Sequence, residues 1–190
     1  MGTLRHLYKA PDVLIDALGI CVNNGLDLKL VIVGEGKYRS GLESQVAILG
    51  LAERVRFCGF LPAGDAVRAM LDQSDIFVLP SRQEGLPRAM IEAMARGLPC
   101  IGSAVGGIPE LLPLEDLVLP GNIGTLERKI SEVVSDPKRM SRMSARNLEK
   151  AKEYREEALC QKRIAFYREL ERRTLAYVDK RKMTSNQARA

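Results

Sequence analysis

Four short apolar runs recur in the first hundred residues, at 30–33, 55–60, 76–79 and 98–101. Such lengths suit strands buried on both faces, as in parallel sheets. Between them lie longer segments with helix-like spacing of apolar positions, at about 11–23, 37–50, 63–73 and 87–97. Strictly alternating strands and helices predict βαβ units, and hence an α/β, Rossmann-like, doubly wound and mostly parallel sheet. Ligands of such sheets bind outside the carboxyl ends of the strands, where Thr3, Gly34, Ser81 and Glu84 are expected to gather. Further helix-like stretches at about 123–135, 138–152 and 155–178 complete the pattern.

The loop after the third run carries the densest punctuation. Pro80, Gly85 and Pro87 break the chain between the strand and the helix that follows. Pro87 suits the first helical position, where the missing N–H costs nothing. Backbone amides around Gly85, Leu86 and Arg88 then point into the crevice, where the helix dipole favours an anion such as phosphate. Glu84 and Glu92 flank this helix start. Each also has a plain reading. Arg88, Glu92 and Arg96 have the i, i+4 spacing of an exposed ion-pair ladder, and Glu84 could be a loop acid near a helix N-terminus.

With 190 residues, 46% of them hydrophobic, the chain can build one full core. Residues 1–4 are too few for the buried first strand of a doubly wound sheet, so a preceding segment is expected. Cys21, Cys58, Cys100 and Cys160 are scattered, which suits reduced thiols rather than a disulfide framework. No apolar window reaches the length of a membrane span, and Met1 is not followed by a signal-peptide pattern. Several chemistries lack support. Arg39 stands where a dinucleotide fingerprint beginning at Gly34 would need its third glycine. His6, the only histidine, has no metal-site spacing around it, and Ser81 and Ser103 have no base at diagnostic spacing.

The string LPSRQEGLPRAMIEAMARGLPCIGSAVGGIPE, with EGLPRAMIE at its centre, resembles the donor-binding signature of the retaining group 1 (family 4) glycosyltransferases of GT-B fold. The similarity extends upstream through LKLVIVGEGKYRSGLESQ and VRFCGFLPAGDAVRAMLDQSDIFVLPS to GTLRHLYKAPDVLIDAL, and downstream to about Glu171. It implies one half of a GT-B enzyme: residues 1–172 as the C-terminal nucleotide-sugar-binding domain, and 173–190 as a basic helical end with a disordered tail from about Lys180. The N-terminal acceptor domain would be a separate part.

The resemblance also implies roles. Glu92 accepts hydrogen bonds from the donor ribose, and Glu84 faces the transferred sugar as the catalytic carboxylate. Gly85, Leu86 and Pro87 lie along sugar and phosphate, while Gly59, Phe60 and Leu61 lie near the base. Lys9 matches a family lysine on the diphosphate, whereas Thr3 stands where the family commonly has arginine, with Arg5 and His6 as candidate substitutes. Taken alone, Lys9 would read as a solvated loop cation. No Asp-x-Asp pair occurs, so a carboxylate-held metal on the diphosphate is not indicated, and no cofactor is expected.

Residues 1–126 hold 11 basic and 14 acidic side chains, against 18 and 10 in residues 127–190. The basic half reads as amphipathic helices with solvated faces. Alternatives are attraction to anionic lipid head groups, useful for a lipid-linked acceptor, and nucleic-acid binding, which low aromatic content disfavours. The expected function is that of a donor-binding domain for a UDP- or GDP-sugar, inactive without its N-terminal half. Its expected location is cytoplasmic, including the inner membrane face. A nucleotide-sugar sensing or scaffolding module, or a fragment of a GT-B sugar-nucleotide epimerase, are the competing readings.

Overall fold

In a computed structural model of the chain, residues 4–187 are described, with side chains as far as Tyr177. Two compact units are present, Met1–Ala151 and Lys152–Ala190.

The first unit alternates helices and strands in the expected order. Helix α1 (Pro11–Asn23) leads to β1 (Leu30–Ile32), α2 (Arg39–Ile48), β2 (Val55–Phe57) and α3 (Asp65–Asp72). Then come β3 (Phe77–Leu79), α4 (Arg88–Ala95), β4 (Cys100–Ser103), α5 (Ile108–Leu111), a 3-10 turn (Leu114–Asp116) and β5 (Leu117–Val118). Helices α6 (Ile123–Val134) and α7 (Pro137–Lys152) follow. Pro11 opens α1 at a position that needs no N–H. The side chain of Asn122 caps α6 by accepting from the Thr125 amide at 2.8 Å, and that of Asp136 accepts from the Arg139 amide at 2.9 Å.

All strand pairs are parallel, but they form two sheets rather than one: β1 with β2, and β3–β4–β5. Two apolar clusters pack on them. Ile15, Leu18, Leu42 and Val46 cover β1 and β2, while Val13, Ala17, Leu126 and Ile130 cover Ile101 of β4 and Val118 of β5. Alternate turns of α1 serve both clusters, so this helix ties the two sheets together.

Behind β4, Asp116 is fully buried and neutralised by Arg139 at 3.2 Å and by Arg146. Buried Asn147 donates to the Leu98 carbonyl at 2.8 Å, fastening α7 under the turn that follows α4. A buried carboxylate with two guanidinium partners satisfies its charge where a lone one could not.

The second unit is essentially α8 (Glu156–Gln187). Its helical backbone continues past Lys180, where the sequence suggested a disordered tail. Phe166, Tyr167 and Leu170 are exposed, and Glu169 is paired with Arg172 and Arg173, which hold its carboxyl down at about 2. Among the described residues no helix is long and apolar enough to cross a membrane.

Candidate functional site

The site grows from two loops that meet at the carboxyl ends of β1 and β3. Residues 4–10 form the first. Its Leu4 amide donates to the Glu35 carbonyl at 2.8 Å, and the Leu4 carbonyl accepts from the Tyr38 amide at 3.2 Å. Gly36 makes that approach possible, because a Cβ there would lie 2.2 Å from the Leu4 carbonyl carbon. Gly36 thus serves the packing of the two loops.

The second loop follows β3 and is stitched to the first. The Tyr8 carbonyl accepts from the amides of Arg82 and Gln83, at 2.6 and 3.4 Å. Arg82 makes a bidentate pair with Asp12, at 2.9 and 2.6 Å, and its guanidinium also donates to the Leu7 carbonyl. Hydrogen bonding to Asp12 raises the Arg82 pKa further. Below the loop, the Ser103 hydroxyl donates to the Ser81 carbonyl at 2.5 Å, and both serines are fully buried.

This stitching brings Lys9 to Glu84. Nζ stands 2.8 Å from Oε2, with the side chains 23% and 12% exposed, and the Ser81 hydroxyl donates to the same carboxylate oxygen at 3.1 Å. Lys9 is therefore no solvated cation, and Glu84 is held from two sides. Charge-assisted hydrogen bonds in a half-buried setting fix orientation more firmly than surface pairs do.

The glycine loop after β4 closes on the other side of Glu84. The Gly107 amide donates to the Gly85 carbonyl at 2.9 Å, and Gly106 passes so close that a Cβ would lie 1.9 Å from the Glu84 carbonyl oxygen. Pro87 is the cap of α4 rather than its first residue, with φ −78° and ψ 103°, and the helix proper begins at Arg88. Its extended ψ delays the helix by one residue. Among the described residues the amides of Gly85, Leu86 and Arg88 donate to no protein acceptor. Donors left open at a helix start, with the dipole behind them, suit an anion.

Glu92 lies one turn into α4, exposed. The ion-pair ladder does not form: Arg96 is engaged instead by Asp72, at 2.5 and 2.8 Å, and among the described residues Glu92 has no partner. Gly59, Phe60 and Leu61 follow β2. The Gly59 carbonyl accepts from the Gly34 amide at 2.8 Å, and Phe60 is 77% exposed. Thr3 lies outside the described residues. The His6 ring is stacked on Tyr8 with centroids 5.6 Å apart. Among the described residues no three metal-ligating side chains converge.

Sequence reasoning did not single out Asp12, Arg82 or Gly106 as parts of this site. The Arg82–Asp12 pair joins positions 70 apart and left no local signal, whereas the glycine pair at 106–107 was visible as punctuation.

The domain is thus an α/β fold whose parallel strands end at a crevice with open amides at the start of α4. The sequence profile of the family described as glycosyl transferases group 1 matches residues 1–167, and the chain belongs to that family. Over 136 residues it is 34% identical to the 2-deoxystreptamine glucosyltransferase of Streptomyces kanamyceticus, an alignment covering 70% of this chain and 33% of that protein. The chain thus spans about a third of the length of this curated relative.

Among solved structures it resembles Anabaena Alr3699/HepE in complex with UDP-glucose, with 25% identity and a TM-score of 0.70 over 79% of this chain and 43% of that one. It also resembles the C-terminal domain of the group 1 family protein LpcC from Francisella tularensis, with 23% identity and a TM-score of 0.73 over 80% and 82%. The fold is that of GT-B glycosyltransferases, and the chain is a group 1 glycosyltransferase domain of C-terminal type.

Proposed function

We propose that this domain binds the UDP- or GDP-sugar donor of a retaining glycosyltransferase, without a metal ion or cofactor. The Lys9–Glu84 pair, beside open amides at the start of α4, is the observation that carries the reading.

Cleaving a nucleotide-sugar bond leaves a nucleoside diphosphate whose new charge must be stabilised. Fixed donors in a water-poor cleft do this efficiently. Lys9 supplies a cation, and the amides of Gly85, Leu86 and Arg88 supply oriented dipoles. A diphosphate arriving there competes with Glu84 for Lys9, which leaves the Glu84 carboxylate facing the sugar. Glu84 then contacts a sugar hydroxyl or the positive charge developing near the anomeric carbon. Glu92, exposed and without a partner among the described residues, accepts from the ribose hydroxyls. Gly59, Phe60 and Leu61 lie along the base. The UDP-glucose bound by the Anabaena relative supports a uridine donor.

Transfer to a sugar, polysaccharide or lipid-linked acceptor requires an N-terminal domain that holds the acceptor. A cytoplasmic location, with contact at the inner membrane face through the basic helices, suits such acceptors. Nuclear magnetic resonance titration tests the site. UDP or GDP is expected to shift the amides of Gly85, Leu86, Arg88 and Glu92. Shifts confined to other elements would overturn the assignment.

A further inference from the structure

Lys9 rises from a tight turn that Arg82 grips at three points. The Ala10 amide donates to the Leu7 carbonyl at 2.9 Å, closing residues 7–10 into a turn with Lys9 at its third position. The Arg82 guanidinium donates to that same carbonyl at 2.8 Å, and its backbone amide donates to the Tyr8 carbonyl at 2.6 Å. Its fork takes both carboxylate oxygens of Asp12. These contacts fix the backbone at residues 7, 8 and 12, on either side of Lys9, without touching Lys9 itself.

The turn is strained, and the strain lies next to Lys9. Ala10 has φ 52° and ψ 47°, and among the described residues it is the one non-glycine with positive φ. Pro11 follows, and a residue before proline ordinarily stays extended. An L-residue keeps such a backbone only where its surroundings impose it. Two anchors do so here. Ala10 is fully buried in the cluster of Val13, Ala17 and Ile101, which fixes the turn to the core. Arg82 fixes it to the loop after β3.

Arg82 also decides which carboxylate Lys9 meets. Asp12 stands three positions after Lys9, so a free Asp12 carboxylate would compete with Glu84 for the ammonium. With both Asp12 oxygens taken by the fork, Lys9 pairs with Glu84 at 2.8 Å. As an ion pair alone, Arg82–Asp12 would matter little to global stability, because the two side chains are 41% and 26% exposed. Its effect is local.

We propose that Arg82 and Asp12 are positioning residues for Lys9. They hold the strained turn so that the ammonium meets Glu84 and, if the donor reading above is right, the diphosphate. Both act through Lys9 and not on the donor.

The test is a double-mutant cycle on the full 190-residue chain, with Arg82→Gln and Lys9→Met made singly and together. Two readouts are taken. Nuclear Overhauser contacts between the Lys9 and Glu84 side chains report the pair, and calorimetry with UDP and GDP reports its use. Arg82→Gln is expected to abolish the contacts and to weaken nucleotide binding about five- to tenfold, no more than Lys9→Met does. In the Lys9→Met background the same change should cost less than about twofold, because an effect carried through Lys9 disappears with it. Asp12→Asn, which leaves Arg82 its bonds to Leu7 and Tyr8, is the milder variant and should move both readouts the same way by less. Equal losses of affinity in the two backgrounds would overturn the proposal. So would Lys9–Glu84 contacts kept at full intensity in Arg82→Gln. If the unsubstituted chain bound neither nucleotide, the donor reading would fail, while the Overhauser contacts would still decide whether Arg82 positions Lys9.

Discussion

The Lys9 ammonium stands 2.8 Å from the Glu84 carboxylate, joining the loop before α1 to the loop after β3 across 75 positions of sequence. The pair therefore exists only when both loops are folded against each other. It also places a cation and a carboxylate in a single contact at the candidate site. Lys9→Met leaves a half-buried carboxylate with Ser81 as its remaining partner, which costs about 1–3 kcal/mol. A fall in Tm of several degrees and a loss of UDP or GDP affinity of about tenfold or more are expected. Undiminished affinity by calorimetry would remove Lys9 from the diphosphate.

Glu92→Ala separates binding from stability. The side chain is exposed and has no partner among the described residues, so Tm should stay within about a degree. Hydrogen bonds from ribose hydroxyls to a carboxylate are worth about 1.5–3 kcal/mol, so nucleotide affinity should fall by roughly tenfold to a hundredfold. Unchanged affinity would return Glu92 to the role of a solvated surface acid.

Glu84→Gln addresses the chemistry. In the enzyme that includes the acceptor-binding domain, it should abolish transfer while leaving nucleotide affinity within a few-fold. Retained turnover, measured as released nucleoside diphosphate, would exclude Glu84 from the reaction.

Gly106→Ala tests how the glycine loop shapes the site. The added methyl would meet the Glu84 carbonyl oxygen, and φ is +53°, so strain of about 1–3 kcal/mol is expected. The backbone at Glu84 must shift to relieve it. Donor affinity should therefore fall more than that of a Gly121→Ala control, whose glycine has positive φ but open space around it.

Much of this architecture was legible in the chain. Runs such as 76–79 and 98–101 are too apolar and too short for anything but buried strands, and they appear as β3 and β4. The loop with Gly85 and Pro87 was readable as a break before a helix because its punctuation is local, and α4 begins there. What escaped is non-local. The contacts of Lys9 with Glu84, Asp12 with Arg82 and Gly36 with Leu4 depend on which loops the fold brings together, and no spacing rule encodes that. Strand β5, at Leu117–Val118, is too short to show a period, and the separation into the sheets β1–β2 and β3–β4–β5 leaves no local signal.

Cys100 gives a pH prediction. Burial, reinforced by the neighbouring Asp116 carboxylate, pushes this thiol well above its ordinary 9.0. Unfolded chains ionise it near that value, so the native state's advantage is fully present below pH 9 and declines as the pH rises beyond it. Burial raises the Cys21 thiol in the same sense. Stability should fall above pH 9, and Cys100→Ala should reduce the slope by about 1.4 kcal/mol per pH unit, the equivalent of one proton. An identical slope in denaturant melts of the two proteins would contradict this.

Calorimetric titration of the chain with UDP, GDP, ADP and NAD, first without metal and then with magnesium, tests the donor-site reading most directly. Selective binding of UDP or GDP, unchanged by magnesium and weakened by Glu92→Ala, is the predicted result. Preference for NAD, or nucleotide binding only when magnesium is present, would contradict it.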